Sequence, residues 1–132
     1  MTQGSRPFLT FQGGAAGPAL DFYESVFDDF DLLDIVRYGP DGPGPNGTVM
    51  TARFRMAGSD FSCADSPIDH AWGFTPAVSI WVDCSSENEL EYLFGRLSDN
   101  GEVFMPSGDY GFSTRFAWVG DQFGVTWQLN VA

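Results

Sequence analysis

The sequence predicts an α+β protein built from two tandem βαβββ modules. Three observations predict it. The order strand, helix, three strands occurs twice along the chain. Each helical stretch carries a single apolar stripe, and each strand-like stretch alternates or is bounded by turn residues. The two halves also match residue by residue. "FRMAGSDF" (54–61) and "FAWVGDQF" (116–123) place Phe54, Gly58 and Phe61 over Phe116, Gly120 and Phe123 at an offset of 62. Leu20, Tyr23 and Phe27 fall over Leu90, Leu93 and Leu97 at an offset of 70, and Pro7 falls over Pro76.

In order, "RPFLTFQ" (6–12) reads as a first strand, which "GGAAG" ends. "PALDFYESVF" (18–27) reads as a helix, with Pro18 suited to the first turn and Leu20, Tyr23 and Phe27 on one face. "DLLDIVRYG" (31–39) is a strand, "PDGPGPNG" (40–47) a turn-rich loop, and residues 48–58 and 61–65 two further strands. "SPIDHAWG" (66–73) links the modules, about 6–66 and 74–132. "TPAVSIWVDC" (75–84) opens the second. In "SENELEYLFGRL" (86–97) Ser86 is a cap and Glu89 closes a capping box, while Leu90, Leu93, Phe94 and Leu97 form the stripe. Residues 102–107, 111–120 and 124–131 complete it as strands.

At 132 residues the chain has the length of one domain, which buries roughly two-thirds of its unfolded surface without staples. The formal charge is −12, and every one of the six basic residues is Arg. Such a chain repels nucleic acid and anionic membranes. The two cysteines, Cys63 and Cys84, make no disulfide framework. Cys84 precedes a helix N-terminus, but a buried cysteine is ordinarily inert packing. The acidic run "DDFDLLD" (28–34) lacks the glycine and terminal Glu of an EF-hand loop. With no signal-peptide core and no apolar run of spanning length, the expectation is a soluble, cytoplasmic protein.

"ALDFYESVF" (19–27), "AVSIWVDCSSENELEYLFGRLSDNGE" (77–102) and "GFSTRFAWVGDQFGVTWQLN" (111–130) resemble the PhnB-like branch of the vicinal oxygen chelate superfamily. That superfamily holds glyoxalase I, extradiol dioxygenases and bleomycin-resistance proteins, and the branch is labelled 3-demethylubiquinone 3-methyltransferase-like. The "GDQFG" turn followed by "WQL" is the most specific part. The resemblance implies glyoxalase-like half-barrels that enclose a cleft, helices outside, and a homodimer. "GGAAG" (13–17) is a lone glycine cluster that reads as a strand-to-helix connection, not as a nucleotide-binding turn.

Metal-dependent relatives place ligands at the openings and closings of the modules. Carried over, these positions are Phe8, Ala77, Ser66 (or its neighbour Asp65) and Gln128. Phe8 and Ala77 cannot ligate, and a divalent cation needs three or four donors. The sequence therefore offers no metal site and no cofactor site.

A two-residue turn at 121–122 would pair Arg115 with Gln128, and a turn at Ser59-Asp60 would pair Arg53 with Ser66 and Arg55 with Ala64. The first register makes one face of Phe116, Trp118, Val125, Trp127 and Leu129. It puts Ser113, Arg115, Ala117, Thr126, Gln128 and Asn130 on the other, which should line the cleft. The predicted ligand cleft comprises Phe8, Thr10, Arg53, Ser66, Ser79, Trp81, Arg115 and Gln128. Two arginines would suit an anionic ligand, and the aromatic content suits an aromatic one. Equally, Arg53 and Arg115 would serve as ion-pair partners of Asp or Glu. The functional expectation is a small-molecule-binding protein. The alternative is an enzyme, a lyase, dioxygenase or methyltransferase-like activity, acting in the same cleft.

Overall fold

The structure, a computed structural model, describes residues 1–132. The chain divides into two compact units, Met1–Ala71 and Trp72–Ala132. The first contains β1 (Phe8–Phe11), α1 (Ala16–Val26), β2 (Asp31–Arg37), β3 (Val49–Met56) and β4 (Ser59–Asp65). The second contains β5 (Ile80–Asp83), α2 (Glu87–Ser98), β6 (Glu102–Gly108), β7 (Arg115–Gly120) and β8 (Thr126–Val131). Each is a βαβββ module, as the sequence predicts. The sheet orders are β1-β4-β3-β2 and β5-β8-β7-β6, so the first strand of each module lies parallel to the last.

In the first unit α1 covers the face formed by Leu9, Phe11, Ala52, Phe54, Met56, Phe61 and Cys63, all buried. Leu20, Tyr23 and Phe27 are buried too, so the stripe packs as expected. The helix begins at Ala16, two residues before Pro18, and Ala15 supplies no side-chain cap. Instead the buried Asp65 carboxylate, at the end of β4, accepts from the Ala16 N–H at 2.8 Å and from the Val49 N–H at 2.9 Å. One side chain thus satisfies an orphan helix donor and fixes the start of β3.

The β3–β4 turn is Ala57-Gly58, not Ser59-Asp60. Met56 pairs with Ser59, Arg55 with Asp60 and Arg53 with Ser62. Both turn residues have positive φ, 52° and 80°, which is what a tight hairpin turn of this hand requires. Asp29 accepts from both of their N–H groups, at 2.9 and 2.8 Å. The shift from the expected register is even, so each side chain keeps its face.

In the second unit α2 begins as predicted. Ser86 is extended and its hydroxyl accepts from Glu89 N at 3.1 Å. The returning bond from Glu89 goes to Ser85 N at 3.0 Å, one residue earlier than a standard capping box. Leu90, Leu93 and Leu97 are buried against Ala117, Val119, Trp127 and Leu129. Phe94 is only half-buried, at the edge of the stripe.

The β7–β8 connection departs from expectation with larger consequence. Gly120 pairs with Thr126, which leaves a five-residue loop, Asp121–Val125. Buried Asp121 accepts from Phe123 N at 2.9 Å and Val125 N at 3.1 Å through one oxygen. Its other oxygen accepts from the Trp127 indole at 3.0 Å. Gly124, at φ 90°, completes the loop. Arg115 consequently pairs with Val131 rather than Gln128, an odd shift of three, and the two faces of β7 exchange. Phe116 and Trp118 join Gln128 on the helix-free face. Arg115 goes to the helix side with Ala117 and Val119.

No helix is long and apolar enough to cross a membrane.

Candidate functional site

On the first unit's helix-free face, Phe8 and Thr10 of β1 lie beside Ser62 and Ala64 of β4, with Arg53 and Arg55 on β3. Both arginines meet Asp60, Arg53 at 3.2 Å and Arg55 at 3.4 Å. Arg6 donates to the Ser62 hydroxyl at 2.6 Å. Arg6, Arg53 and Asp60, with residues 3–5, line a cavity of about 330 Å³ in which two guanidinium groups face one carboxylate. Ser66, just past β4, has its hydroxyl 2.7 Å from His70 Nε2, and the His70 N–H donates to Gln12 Oε1 at 2.7 Å. Asp65, the alternative ligand position, points to the helix side and is engaged with backbone N–H groups.

The second unit's helix-free face is different in character. Trp81 and Asp83 of β5 register with Gln128 and Asn130 of β8, and these register with Trp118 and Phe116 of β7. Trp81 and Phe116 have ring centroids 5.8 Å apart, and Phe104 packs on Trp118 at 5.4 Å. A polar relay runs beneath them. The Trp118 indole donates to Ser79 Oγ at 3.1 Å, Ser79 meets Thr126 Oγ1 at 2.7 Å, and Thr126 donates to the Val78 carbonyl at 2.8 Å. Asp83 accepts from the Trp81 indole at 2.9 Å. Gln128 is half-buried among the rings, and its carboxamide makes no hydrogen bond within the chain.

Of the predicted residues, Ser79, Trp81 and Gln128 therefore share one sheet face, while Phe8, Thr10 and Arg53 share the corresponding face of the other module. Arg115 is removed from the set. Its Nε lies 3.0 Å from Glu87 and its Nη1 3.3 Å from Glu91, both on α2. The hydrogen bond to Glu87, with Glu87, Glu91 and Asp109 as neighbouring charges, raises its pKa further above the ordinary guanidinium value. Arg53 and Arg115 thus both meet carboxylates of their own module, the ion-pair alternative. Phe116 and Trp118 are the face residues that sequence reasoning missed, whereas Asn130 shares the face of Gln128 as alternation along the strand predicts. The signal was present in "GDQFG": an Asp three residues before a glycine marks a longer loop than two residues.

No three His, Cys, Asp or Glu side chains converge in a way that could hold a metal ion. Of the positions the resemblance implies, Phe8 and Ala77 carry no ligating group and Gln128 offers only a neutral carboxamide. The donor set does not fit a divalent cation. Burial pushes the Cys63 thiol up to about 12 and the Cys84 thiol up to about 11, with Asp65 and Glu89 respectively adding to the shift, which disfavours the reactive thiolate.

Residues 3–130 match a family model described as 3-demethylubiquinone-9 3-methyltransferase. The fold superposes on a putative 3-demethylubiquinone-9 3-methyltransferase, PhnB protein, from Bacillus cereus with a TM-score of 0.93 at 43% identity, covering 98% of this chain and 100% of that one. Protein YjdN of Escherichia coli (strain K12) is 25% identical over 139 residues, 95% of this chain and 92% of YjdN. A glyoxylase/bleomycin resistance protein/dioxygenase domain from Frankia sp. EAN1pec, at 15% identity and a TM-score of 0.67, covers 100% of this chain and 98% of its own and shares the fold alone.

Proposed function

The chain belongs to the 3-demethylubiquinone-9 3-methyltransferase family, a PhnB-like branch of the glyoxalase/bleomycin resistance/dioxygenase superfamily, and from that premise we propose that it is a small-molecule-binding protein that works without the metal of its metal-dependent relatives. The ligand lies on the helix-free face of the β5-β8-β7-β6 sheet. Trp81 and Trp118 supply flat apolar surface, the buried Phe116 ring backs Trp81, and Gln128 supplies the polar contact. One observation carries this reading: Gln128 sits among aromatic rings with its carboxamide unpaired. A few polar groups convergent on an apolar concavity are the usual composition of a ligand site. The aromatic face carries no arginine, since Arg115 lies on the helix side with Glu87, and this argues for an aromatic, uncharged ligand there over an anionic one.

The family description names a methyl transfer. The strand-to-helix turn does not support an S-adenosylmethionine site, since the first amide of α1 is already bonded to the Asp65 carboxylate. A second reading, catalysis, has one observation in its favour, the Ser66–His70 pair at 2.7 Å. A cytoplasmic location and a homodimer are part of the same proposal, on the strength of the resemblance.

Screening the purified protein against a library of small aromatic compounds by ligand-observed NMR tests the principal reading. Hits that Trp81→Ala and Gln128→Leu weaken at least about fivefold, roughly 1 kcal/mol, support it. Hits indifferent to both substitutions but lost in Ser66→Ala would move the site to the first module.

A further inference from the structure

We propose that Asn130 determines specificity on this face, its Oδ1 reading a hydroxyl or N–H donor on a planar aromatic ligand. The inference rests on the reading of the face as a ligand platform and extends it to the chemistry of the ligand.

Asn130 lies one residue from the end of β8 and is 8% exposed. It pairs laterally with Phe116 on β7 and with Asp83 on β5, so its side chain shares the helix-free face with Trp81 and Gln128. Its backbone carbonyl is in use, accepting from Cys84 N at 2.7 Å. Its side-chain Oδ1 is buried and has no hydrogen-bond partner. A native chain keeps few such orphans, because an apolar residue of similar size is cheaper at a dry position. An acceptor held in this state beside a ligand platform is matched to a donor that arrives with the ligand.

The neighbours fix the sign of that donor. Asp83, on the adjacent strand, is a carboxylate already held by the Trp81 indole. An anionic ligand end would meet its charge, whereas a phenol, an aniline or an indole N–H would not. Access comes through the segment between β6 and β7. Phe112 lies edge-on to Phe116 at 5.0 Å and is 60% exposed, and Trp81 is 50% exposed. An incoming ring that takes the place of Phe112 against Phe116 keeps the aromatic contact and opens the way to Asn130.

The test compares 2-naphthol with 2-methoxynaphthalene, the same ring system with its donor capped, by ligand-observed NMR titration. The expected result is a preference of about tenfold for 2-naphthol in the unaltered protein, falling to about one in Asn130→Leu, whose melting temperature is no lower than that of the parent. Asn130→Ser, which keeps a small polar group too short to reach, gives the same loss of preference should the leucine variant not fold. Trp81→Ala weakens both probes. Absence of preference in the parent, or preference surviving in the Asn130 variants, overturns the assignment to Asn130 and leaves the platform intact if Trp81→Ala still weakens binding. Failure of both probes to bind, or binding indifferent to Trp81→Ala, overturns the platform and the assignment together.

Discussion

Asp121 accepts three hydrogen bonds from a single buried position, and each ties a different part of the β7–β8 loop to the core. Removing the carboxylate takes a buried acceptor away from two backbone donors and an indole N–H. Asp121→Ala should therefore cost about 3 kcal/mol in chemical denaturation, more than the loss of any exposed salt bridge in this chain. Arg115 illustrates the contrast. Its partners are on α2, on the far side of the sheet from Gln128, so Arg115→Leu should leave the affinity of any ligand found on the aromatic face within about twofold. A large loss of affinity in that variant would contradict the register. The thiols give a third expectation. Both are protonated at neutral pH and buried, so Ellman's reagent should label neither at pH 8 until denaturant is added. Their folded pKa values exceed the ordinary thiol value of about 9. The native state therefore binds more protons than the unfolded state, and its stability falls as pH rises from about 9 toward 12.

At the scale of elements, the hairpin turns decide which side chains meet. Ala57 occupies a left-handed conformation at φ 52°, a site where a Cβ is unfavourable. Ala57→Gly should raise stability by about 0.5–1 kcal/mol, read as a higher urea midpoint with an unchanged slope. Helix positions, the order of elements along the chain and the doubled module were legible in the sequence, because the stripes of Leu20, Tyr23 and Phe27 and of Leu90, Leu93 and Leu97 report local periodicity. The registers were not. Loop length is set by buried carboxylates acting at a distance: Asp29, 28 residues before Ala57, clamps the first turn, and Asp121 enlarges the second. Charged residues in turns read as solvated in any composition-based view, and these two are structural. So the shared face of Trp81, Gln128 and Asn130 follows from alternation within their own strands. Phe116 and Trp118 needed the pairing between strands, and Arg115 was misplaced for the same reason.

The whole molecule carries 18 acidic residues against six arginines. Few of those acids have a cationic partner, and the excess repels itself. Added sodium chloride should raise the melting temperature between about 0.05 and 0.5 M, since the Debye length shrinks severalfold over that range. A flat or falling response would show that local pairs outweigh the net charge. The five-residue Asp121–Val125 loop has a consequence of another kind. It sets the phase of the last strand relative to the rest of its sheet. Deleting one residue there would rotate every β8 side chain through the sheet. Gln128 would then lie beneath α2, and Trp127, now 0% exposed, would move to the opposite surface. Deleting two would restore the parity. Along this stretch, variation among relatives should therefore be tolerated in letters and in pairs of residues, but not in single insertions or deletions, much as a coding sequence tolerates substitutions and not frameshifts.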